Sequence, residues 1–374
     1  MLHFSKYQGL GNDFLLVDAR QSGPASAAFA ALDSARVQRL CDRRFGVGAD
    51  GVIAALPPQA GGDVRMRIYN ADGSEPEMCG NGIRCLARFL ADSDGDAPGR
   101  RWQVETLAGR IVPELLADGT VRVDMGAPFL EPQAVPTTLA VGGAGLPQGV
   151  LAVEGRDWEV AAVGMGNPHV VIPVADVAAI DLERFGAALE VHEAFPAKVN
   201  VHFVQVLSPE HLVMRVWERG AGPTLACGTG ACATLVACQR LGLCDQQARV
   251  DLPGGTLSIA WSGESGASVW MSGPAEAVFD GMVTPELWGE PLTPVQQAAP
   301  PISAVAPAAD ADAAAAVDCA TVCVNGCIRP EACPSAEVRA RAMALLETTS
   351  LDDLVNLAAE SLESRTRARI ERGL

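Results

Sequence analysis

The chain is poor in positive charge: 28 Lys and Arg stand against 45 Asp and Glu among 374 residues, and the net charge is −17. This balance argues against nucleic acid and anionic membrane surfaces as partners, because both attract basic proteins. It does not argue against a small anionic substrate, since local donors in a cleft decide that kind of binding.

Long apolar runs are also lacking. No stretch approaches the roughly 18 uninterrupted apolar residues of a membrane span. The sequence MLHFSKYQGLGNDFLLVD has no basic region followed by a long apolar run, as a signal peptide would have. We therefore expect a cytoplasmic protein. Its eleven cysteines would then be reduced thiols that do chemistry or bind metal, rather than disulfides.

What the sequence does contain is a segment that occurs twice. Residues 66–84 read MRIYNADGSEPEMCGNGIR and residues 214–232 read MRVWERGAGPTLACGTGAC, aligned without a gap at an offset of 148 residues. One Met, one Arg, one Cys and two Gly recur at matching positions. A duplicated half that keeps one cysteine in the same Gly-rich frame predicts two similar lobes, one site between them and a thiol on each side.

The repeated thiols, Cys79 and Cys227, each precede a Gly-x-Gly loop and an apolar helical pattern. A thiol at a helix N-terminus lies at the positive end of the helix dipole, which favours the thiolate. The free amides of the first turn can hold a carboxylate. Two such thiols can remove a proton from one face of an α-carbon and return one to the other. The alternative is that both are small buried hydrophobic residues, the commonest fate of a lone cysteine.

Short runs rich in β-branched residues predict strands, and three apolar patterns predict helices. The strands are expected at residues 14–17, 51–55, 66–69, 121–125, 169–174, 200–206, 212–217, 257–261 and 267–271, and the helices at 35–41, 82–90 and 230–241. A Pro/Gly-rich stretch predicts the division between lobes at residues 1–130 and 131–288. Residues 289–318 are a Pro/Ala-rich linker, and residues 319–374 a Cys-containing helical tail.

The tail carries four cysteines within 15 residues, Cys319, Cys323, Cys327 and Cys333. Four thiolates can bind zinc or an iron–sulfur cluster, but the spacing matches none of the common CxxC-based zinc patterns. A helical tail without metal is the alternative. A metal- or redox-sensing protein, in which the body is only a ligand-binding scaffold, is a further functional hypothesis.

Residues 1 to about 285 resemble the diaminopimelate epimerase family, on the motifs KYQGLGNDFLLVD, RRFGVGADGVI, YNADGSEPEMCGNGIRC, GMGNPHVV, VNVHFV and WERGAGPTLACGTGACA. The resemblance implies an α/β (α+β) fold of two pseudo-symmetric lobes, each a β-barrel-like sheet around a central helix. It implies an isomerase that needs no cofactor and interconverts LL- and meso-diaminopimelate, in lysine and peptidoglycan precursor synthesis. Proline and hydroxyproline racemases share the two-thiol logic and are the alternative enzyme class. A homodimer is an assembly that we leave open.

The resemblance also implies roles for individual residues. Cys79 and Cys227 would be the acid/base pair, and Glu218 and His169 would influence their ionisation, with Glu218 also pairing with a substrate ammonium. The reacting end of the substrate would be bound by Gly80, Asn81, Gly228 and Thr229, and the distal end by Asn12, Asn70, Asn167, Asn200 and Arg219. Taken alone, His169 would be structural, and Asn12 and Asn70 would be turn residues.

The remaining polar and sulfur-containing residues of the motifs suggest simpler roles. We expect turn or cap roles for Asp13, Asp50 and Asp72, with substrate contact as the alternative, and surface positions or acidic partners for Arg43 and Arg44. We interpret the other cysteines of the body as core or exposed bystanders: Cys41, Cys85, Cys232, Cys238 and Cys244.

Overall fold

The computed structural model describes residues 2–289 and contains two β-sheets and six helices in that range. The helices are α1 (Pro24–Ala30), α2 (Ser34–Cys41), α3 (Gly80–Asp94), α4 (Leu182–Glu190), α5 (Gly228–Arg240) and α6 (Pro285–Trp288). The strands are β1 (His3–Gly9), β2 (Asn12–Asp18), β3 (Gly51–Leu56), β4 (Val64–Asn70), β5 (Val104–Thr106), β6 (Gly109–Ile111), β7 (Glu114–Leu115), β8 (Val121–Asp124), β9 (Gln148–Val153), β10 (Arg156–Gly164), β11 (Pro168–Pro173), β12 (Asn200–Ser208), β13 (His211–Glu218), β14 (Gly222–Thr224), β15 (Gln247–Leu252), β16 (Gly255–Ala260), β17 (Trp270–Gly273) and β18 (Glu276–Met282).

Each sheet includes strands from the other half of the described chain. The seven-stranded sheet has the order β18-β1-β2-β3-β4-β5-β6. The eleven-stranded sheet has the order β7-β8-β17-β16-β15-β13-β12-β11-β10-β9, with β14 paired to β13. Strands β7 and β8 therefore pair with the second sheet although they precede residue 130, and β18 returns to the first. The division at residues 130 and 131 stays a prediction.

Each sheet packs against one central helix, α3 in the first lobe and α5 in the second. In α3 the apolar face carries Ile83, Leu86 and Leu90, all fully or almost fully buried, and the helix ends at Gly95 in the left-handed conformation. Nearly all of α5 is buried from Gly228 to Cys238, so it has no polar face until its last turn. The α/β fold class with two lobes and central helices is confirmed.

The sequence predicted three of the six helices and nine of the eighteen strands of the described residues, and it missed the others, including the largely buried β10. The helices expected at 35–41, 82–90 and 230–241 correspond to α2, α3 and α5, with α3 extended at both ends. Strand β1, HFSKYQG, was not predicted because it contains few apolar residues. The helices α1, α4 and α6 were not predicted either. The strand expected at 267–271 begins three residues later, as β17.

The predictions for the C-terminal region lie outside the described residues. These are the linker, the helical tail and the metal site at Cys319, Cys323, Cys327 and Cys333. Among residues 2–289 no helix is long and apolar enough to cross a membrane.

Candidate active site

The two repeated cysteines occupy equivalent positions at the starts of the two central helices. Cys79 is the N-cap of α3 with φ −135° and ψ 120°, and Cys227 is the N-cap of α5 with φ −131° and ψ 107°. Both are free thiols. Cys79 Sγ accepts a hydrogen bond from Gly82 N at 3.4 Å, whereas Cys227 Sγ lies 3.6 Å from the Thr229 hydroxyl. The predicted pairing of thiol, glycine loop and helix N-terminus is therefore present in both lobes.

Burial raises the pKa of both thiols, and their surroundings differ. At Cys79 the amides of Gly82 and Asn81 and the charge of Arg84 oppose this increase in pKa, and Glu218 adds to it. Burial raises the pKa of Cys227 well above its ordinary value, Glu218 raises it more, and Thr229 counteracts both. An ionised thiol is thus better accommodated at Cys79 than at Cys227.

A chain of side-chain amides connects Cys79 to the wall of the first lobe. Cys79 Sγ lies 4.0 Å from Asn12 Oδ1, and Asn81 Nδ2 donates to the same oxygen at 3.2 Å. Asn12 Nδ2 donates to Asp50 Oδ2 at 2.7 Å. Asp50 therefore fixes which way the Asn12 amide faces, and its oxygen is directed to the thiol.

Asp50 is in turn held by a cluster of charged residues. Arg43 bridges Asp50 Oδ1 at 2.7 Å and Asp13 Oδ1 at 2.6 Å, and Lys6 pairs with Asp13 at 2.8 Å. Burial alone would raise the pKa of Asp13, but Arg43 and Lys6 hold it below its ordinary value. Of the two positions expected for Arg43, the structure shows the one with acidic partners. Asp72 accepts a hydrogen bond from Ser74 N at 2.8 Å, in a turn as expected.

In the second lobe a buried pair of histidines supports the cleft wall. His169 Nε2 is 2.7 Å from Asn167 Oδ1, and His169 Nδ1 is 2.8 Å from His202 Nε2. With Asn167 Oδ1 as acceptor, both Nε2 atoms donate, and His202 Nδ1 is left as a bare acceptor. Burial lowers the pKa of His169 well below its ordinary value, and that of His202 to about 3. Both rings are therefore neutral at pH 7.

Glu218, the last residue of β13, and Arg219, which follows it, both line the cleft. Thr224 Oγ1 donates to Glu218 Oε1 at 2.5 Å, so the carboxylate is oriented towards the strand β14. Arg219 N donates to Asn200 Oδ1 at 2.9 Å, and the Arg219 guanidinium, at an exposed residue, donates to Ala197 O at 3.0 Å. This arrangement offers one carboxylate and one guanidinium from adjacent residues.

One cleft of about 990 Å³ brings most of the predicted site together. The predicted residues that line it are Asn12, Asn70, Cys79, Gly80, Asn81, Asn167, Glu218, Arg219, Cys227, Gly228 and Thr229. Asn200 and His169 do not line it. Both are buried behind its wall, where Asn200 holds the backbone of Arg219 and of Pro168. Their predicted roles at the substrate and the thiols stay predictions.

The structure adds residues that the sequence analysis did not single out. Arg84 of α3 and His202 of β12 are both fully buried. Glu190 of α4 accepts from Trp217 Nε1 at 2.7 Å and from Gly220 N at 3.1 Å, so it fixes the residues on either side of Glu218 and Arg219. Arg84 and His202 lie within the motifs quoted above. The signal that the sequence offered was a polar residue in an otherwise apolar pattern.

The other cysteines of the described chain lie away from the cleft. Cys41, Cys85, Cys232, Cys238 and Cys244 are all buried free thiols. Among residues 2–289, no three His, Cys, Asp or Glu side chains are grouped as a metal site would require.

Known proteins resemble the chain over the described region. The family model described as diaminopimelate epimerase matches residues 4–130 and 161–278. The diaminopimelate epimerase of Prochlorococcus marinus is 60% identical over 287 residues, which is 77% of this chain and 94% of that protein. The diaminopimelate epimerase of Acaryochloris marina is 54% identical over 284 residues, or 75% of this chain and 98% of that protein.

More distant solved structures share the fold. A PhzF-family phenazine biosynthesis protein of Bacillus anthracis has a TM-score of 0.53 at 17% identity, covering 76% of this chain and 99% of that one. A probable proline racemase from Agrobacterium radiobacter has a TM-score of 0.52 at 14% identity, covering 78% and 99%. At such identities these structures support the two-lobed architecture only.

Proposed function

The chain belongs to the diaminopimelate epimerase family and is an isomerase, and from this premise we propose that it interconverts LL-2,6-diaminopimelate and meso-diaminopimelate. The reaction uses two thiols as acid and base and no cofactor. One observation carries the proposal: two cysteines cap the central helices of two lobes and line the same cleft. Inversion at a carbon needs one acid/base group on each face, and this pair provides them.

Proton transfer between the two thiols accounts for the inversion. The thiolate of one cysteine takes the α-proton, so the C–H bond breaks, an S–H bond forms and the electron pair stays on the substrate. The α-carboxylate takes up that charge, held by the amides at the starts of α3 and α5. The opposite thiol then delivers its proton to the other face of the carbon. The two cysteines end with exchanged protonation states, and proton exchange with solvent after product release restores the starting pair.

The asymmetric parts of the cleft suit a substrate with a second amino-acid group. Arg219 offers a guanidinium for the distal carboxylate. Asn12, Asn70 and Asn167 offer uncharged donors and acceptors, which suit either an ammonium or a carboxylate. Glu218 provides negative charge for an ammonium. Proline has only one amino-acid group, so a proline site would leave these distal groups without a function.

The cellular setting forms part of the proposal. The seven free cysteines of the described residues support a reducing compartment, the cytoplasm, because thiols persist there. The product would serve lysine and peptidoglycan precursor synthesis. Association with a second copy stays a prediction, and light scattering of the full chain at several concentrations tests it.

Purified, reduced, full-length protein tests the proposed substrate. LL-diaminopimelate should convert to a mixture with the meso form, resolved by chiral chromatography, while L-proline and trans-4-hydroxy-L-proline should remain unchanged. Cys79→Ala and Cys227→Ala should each abolish the conversion. Cys41→Ala is the matched control, because Cys41 is a buried thiol of α2 outside the cleft. Inversion of proline without diaminopimelate turnover would contradict the proposal.

A further inference from the structure

Arg84 of α3 is a fully buried arginine whose bonding groups are all neutral. Its guanidinium donates to Gly80 O at 3.2 Å, to Asn81 Oδ1 at 3.0 Å and to Pro274 O at 3.4 Å, and it lies 3.6 Å from Met271 Sδ. No ion pair among residues 2–289 includes it. A buried arginine keeps its charge and is normally paired with an acid, so this one calls for an explanation.

Two glycines on different strands make room for this side chain. A Cβ at Gly9, at the end of β1, would lie 3.3 Å from the Arg84 terminal nitrogen. A Cβ at Gly273, at the end of β17, would overlap the Leu257 side chain and would also lie 3.3 Å from Arg84 Nε. Both distances are tighter than ordinary van der Waals contacts. The sheets therefore leave a space shaped for a guanidinium behind the first turn of α3.

The groups around Arg84 that gain or lose protons are chiefly thiols. Burial lowers the pKa of the Arg84 guanidinium, and the groups that oppose this by favouring its charged form are the thiols of Cys85, Cys79 and Cys232. Across the cleft, Glu218 of β13 raises the pKa of both catalytic thiols. Asp13 of β2 raises the pKa of Cys85. Arg84 bonds to Gly80 O and Asn81 Oδ1, in the two residues that follow Cys79, so a thiolate at Cys79 would be the anion that this cation otherwise lacks.

The repeat shows that this cation belongs to one lobe only. In the alignment at an offset of 148 residues, Arg84 corresponds to Cys232. The helix of Cys79 therefore carries a buried cation where the helix of Cys227 carries a neutral thiol. Cys227 instead faces the hydroxyl of Thr229 at 3.6 Å.

We propose, on the basis of the proposed function, that the Arg84 guanidinium is the buried counter-cation of a Cys79 thiolate, so that Cys79 is the thiol of the pair that ionises first. Arg84 is also a positioning residue. It holds Asn81 Oδ1, so that Asn81 Nδ2 faces Asn12 in the cleft. One side chain thus sets both the charge of the first thiol and the orientation of its neighbouring amide.

Alkylation of Cys79 by iodoacetamide at a series of pH values, read by peptide mass spectrometry, tests the proposal. The full-length wild type is compared with Arg84→Met, Arg84→Gln and Arg84→Lys. The control is Arg88→Met, which lies one turn further along α3 and pairs with Asp92 outside the cleft. Circular dichroism and thermal melting establish that each variant is folded.

In the two neutral variants the midpoint pH of Cys79 alkylation should rise by about one unit or more, the effect of removing an opposite charge at close range. The Cys227 midpoint should move less. At pH 7, kcat should fall about tenfold or more, in proportion to the lost thiolate, and recover as the pH is raised. Arg84→Lys should keep the Cys79 midpoint near that of the wild type, and Arg88→Met should change nothing.

An unchanged Cys79 midpoint in either folded neutral variant would overturn the proposal. If Arg84→Met does not fold, Arg84→Gln decides, because its amide can still bond to neighbouring carbonyl and amide groups. The alkylation needs no substrate, so it is independent of the epimerase assay. A wild type that alkylates as expected but leaves diaminopimelate unchanged would refute the proposed function and leave the role of Arg84 standing.

Discussion

The substitution Gly230→Ala would add one methyl group where the second central helix meets the buried histidine pair. A Cβ at residue 230 would overlap His202 Cε1 and would lie 2.9 Å from both nitrogens of that ring. His202 is fully buried and is bonded to His169 Nδ1 at 2.8 Å, so the ring has no free direction in which to move. The first turn of α5 must therefore shift away from β12.

The size of the effect follows from the overlap. Carbon atoms pack at roughly 3.5–4.0 Å, so the turn that carries Cys227 has to move by about 1 Å. Overpacking of this kind costs about 1–3 kcal/mol of stability. A misplacement of about 1 Å at a reacting group costs about 100-fold in rate. We expect kcat/KM to fall by about that factor while the free energy of unfolding drops only by the overpacking term.

The assay compares kcat/KM with urea unfolding for Gly230→Ala, His202→Ala and the double variant. Removal of the ring should make Gly230→Ala less harmful, so the two effects should not add. Gly143→Ala is the control, because nothing lies within 4 Å of its added Cβ. Wild-type kcat/KM in Gly230→Ala, or strict additivity in the double variant, would refute the steric reasoning.

Three more predictions concern the same site and its surroundings. Arg219→Lys should raise KM for diaminopimelate more than it lowers kcat, because the planar fork that grips a carboxylate is lost while the charge remains; steady-state kinetics measure both. Mild oxidant should join Cys79 to Cys227 and inactivate the enzyme, with activity restored by dithiothreitol; peptide mapping that finds no such bridge in inactive protein contradicts this. Stability should fall above about pH 9, because burial raises the pKa of Cys85 and Cys232 to about 12. The unfolded chain then loses these protons first, and urea midpoints from pH 7 to 10 would show it.

The repeat made the positions of the two cysteine loops predictable, because a Cys-Gly-x-Gly frame before an apolar helix is a local pattern. Which of the polar residues are buried behind the cleft was not predictable in this way. Asn200 lies behind the cleft because β11 and β12 pair in parallel with His169 opposite Asn200, and that register depends on tertiary packing. In the sequence, Arg84 has the pattern of an ordinary helix residue. Its burial depends on glycines from two distant strands, which only the folded structure brings next to it.

The strand exchange between lobes was equally hidden from the sequence. Strand β18 pairs with β1 across most of the described chain, and β8 pairs with β17. Neither pairing involves neighbouring segments. Local patterns predict that strands exist, whereas such long-range partners are selected by the packing of both sheets on their central helices.

Epimerisation of LL-diaminopimelate in deuterium oxide tests the two-thiol account most directly, with deuterium located by mass spectrometry in the separated diastereomers at early times. The account predicts one deuterium at the inverted carbon of the meso product, because the thiol that delivers the proton exchanges with solvent. The recovered LL substrate should retain almost all of its protium. Meso product without deuterium, or conversion that survives Cys79→Ala or Cys227→Ala, would contradict proton transfer by two opposed thiols.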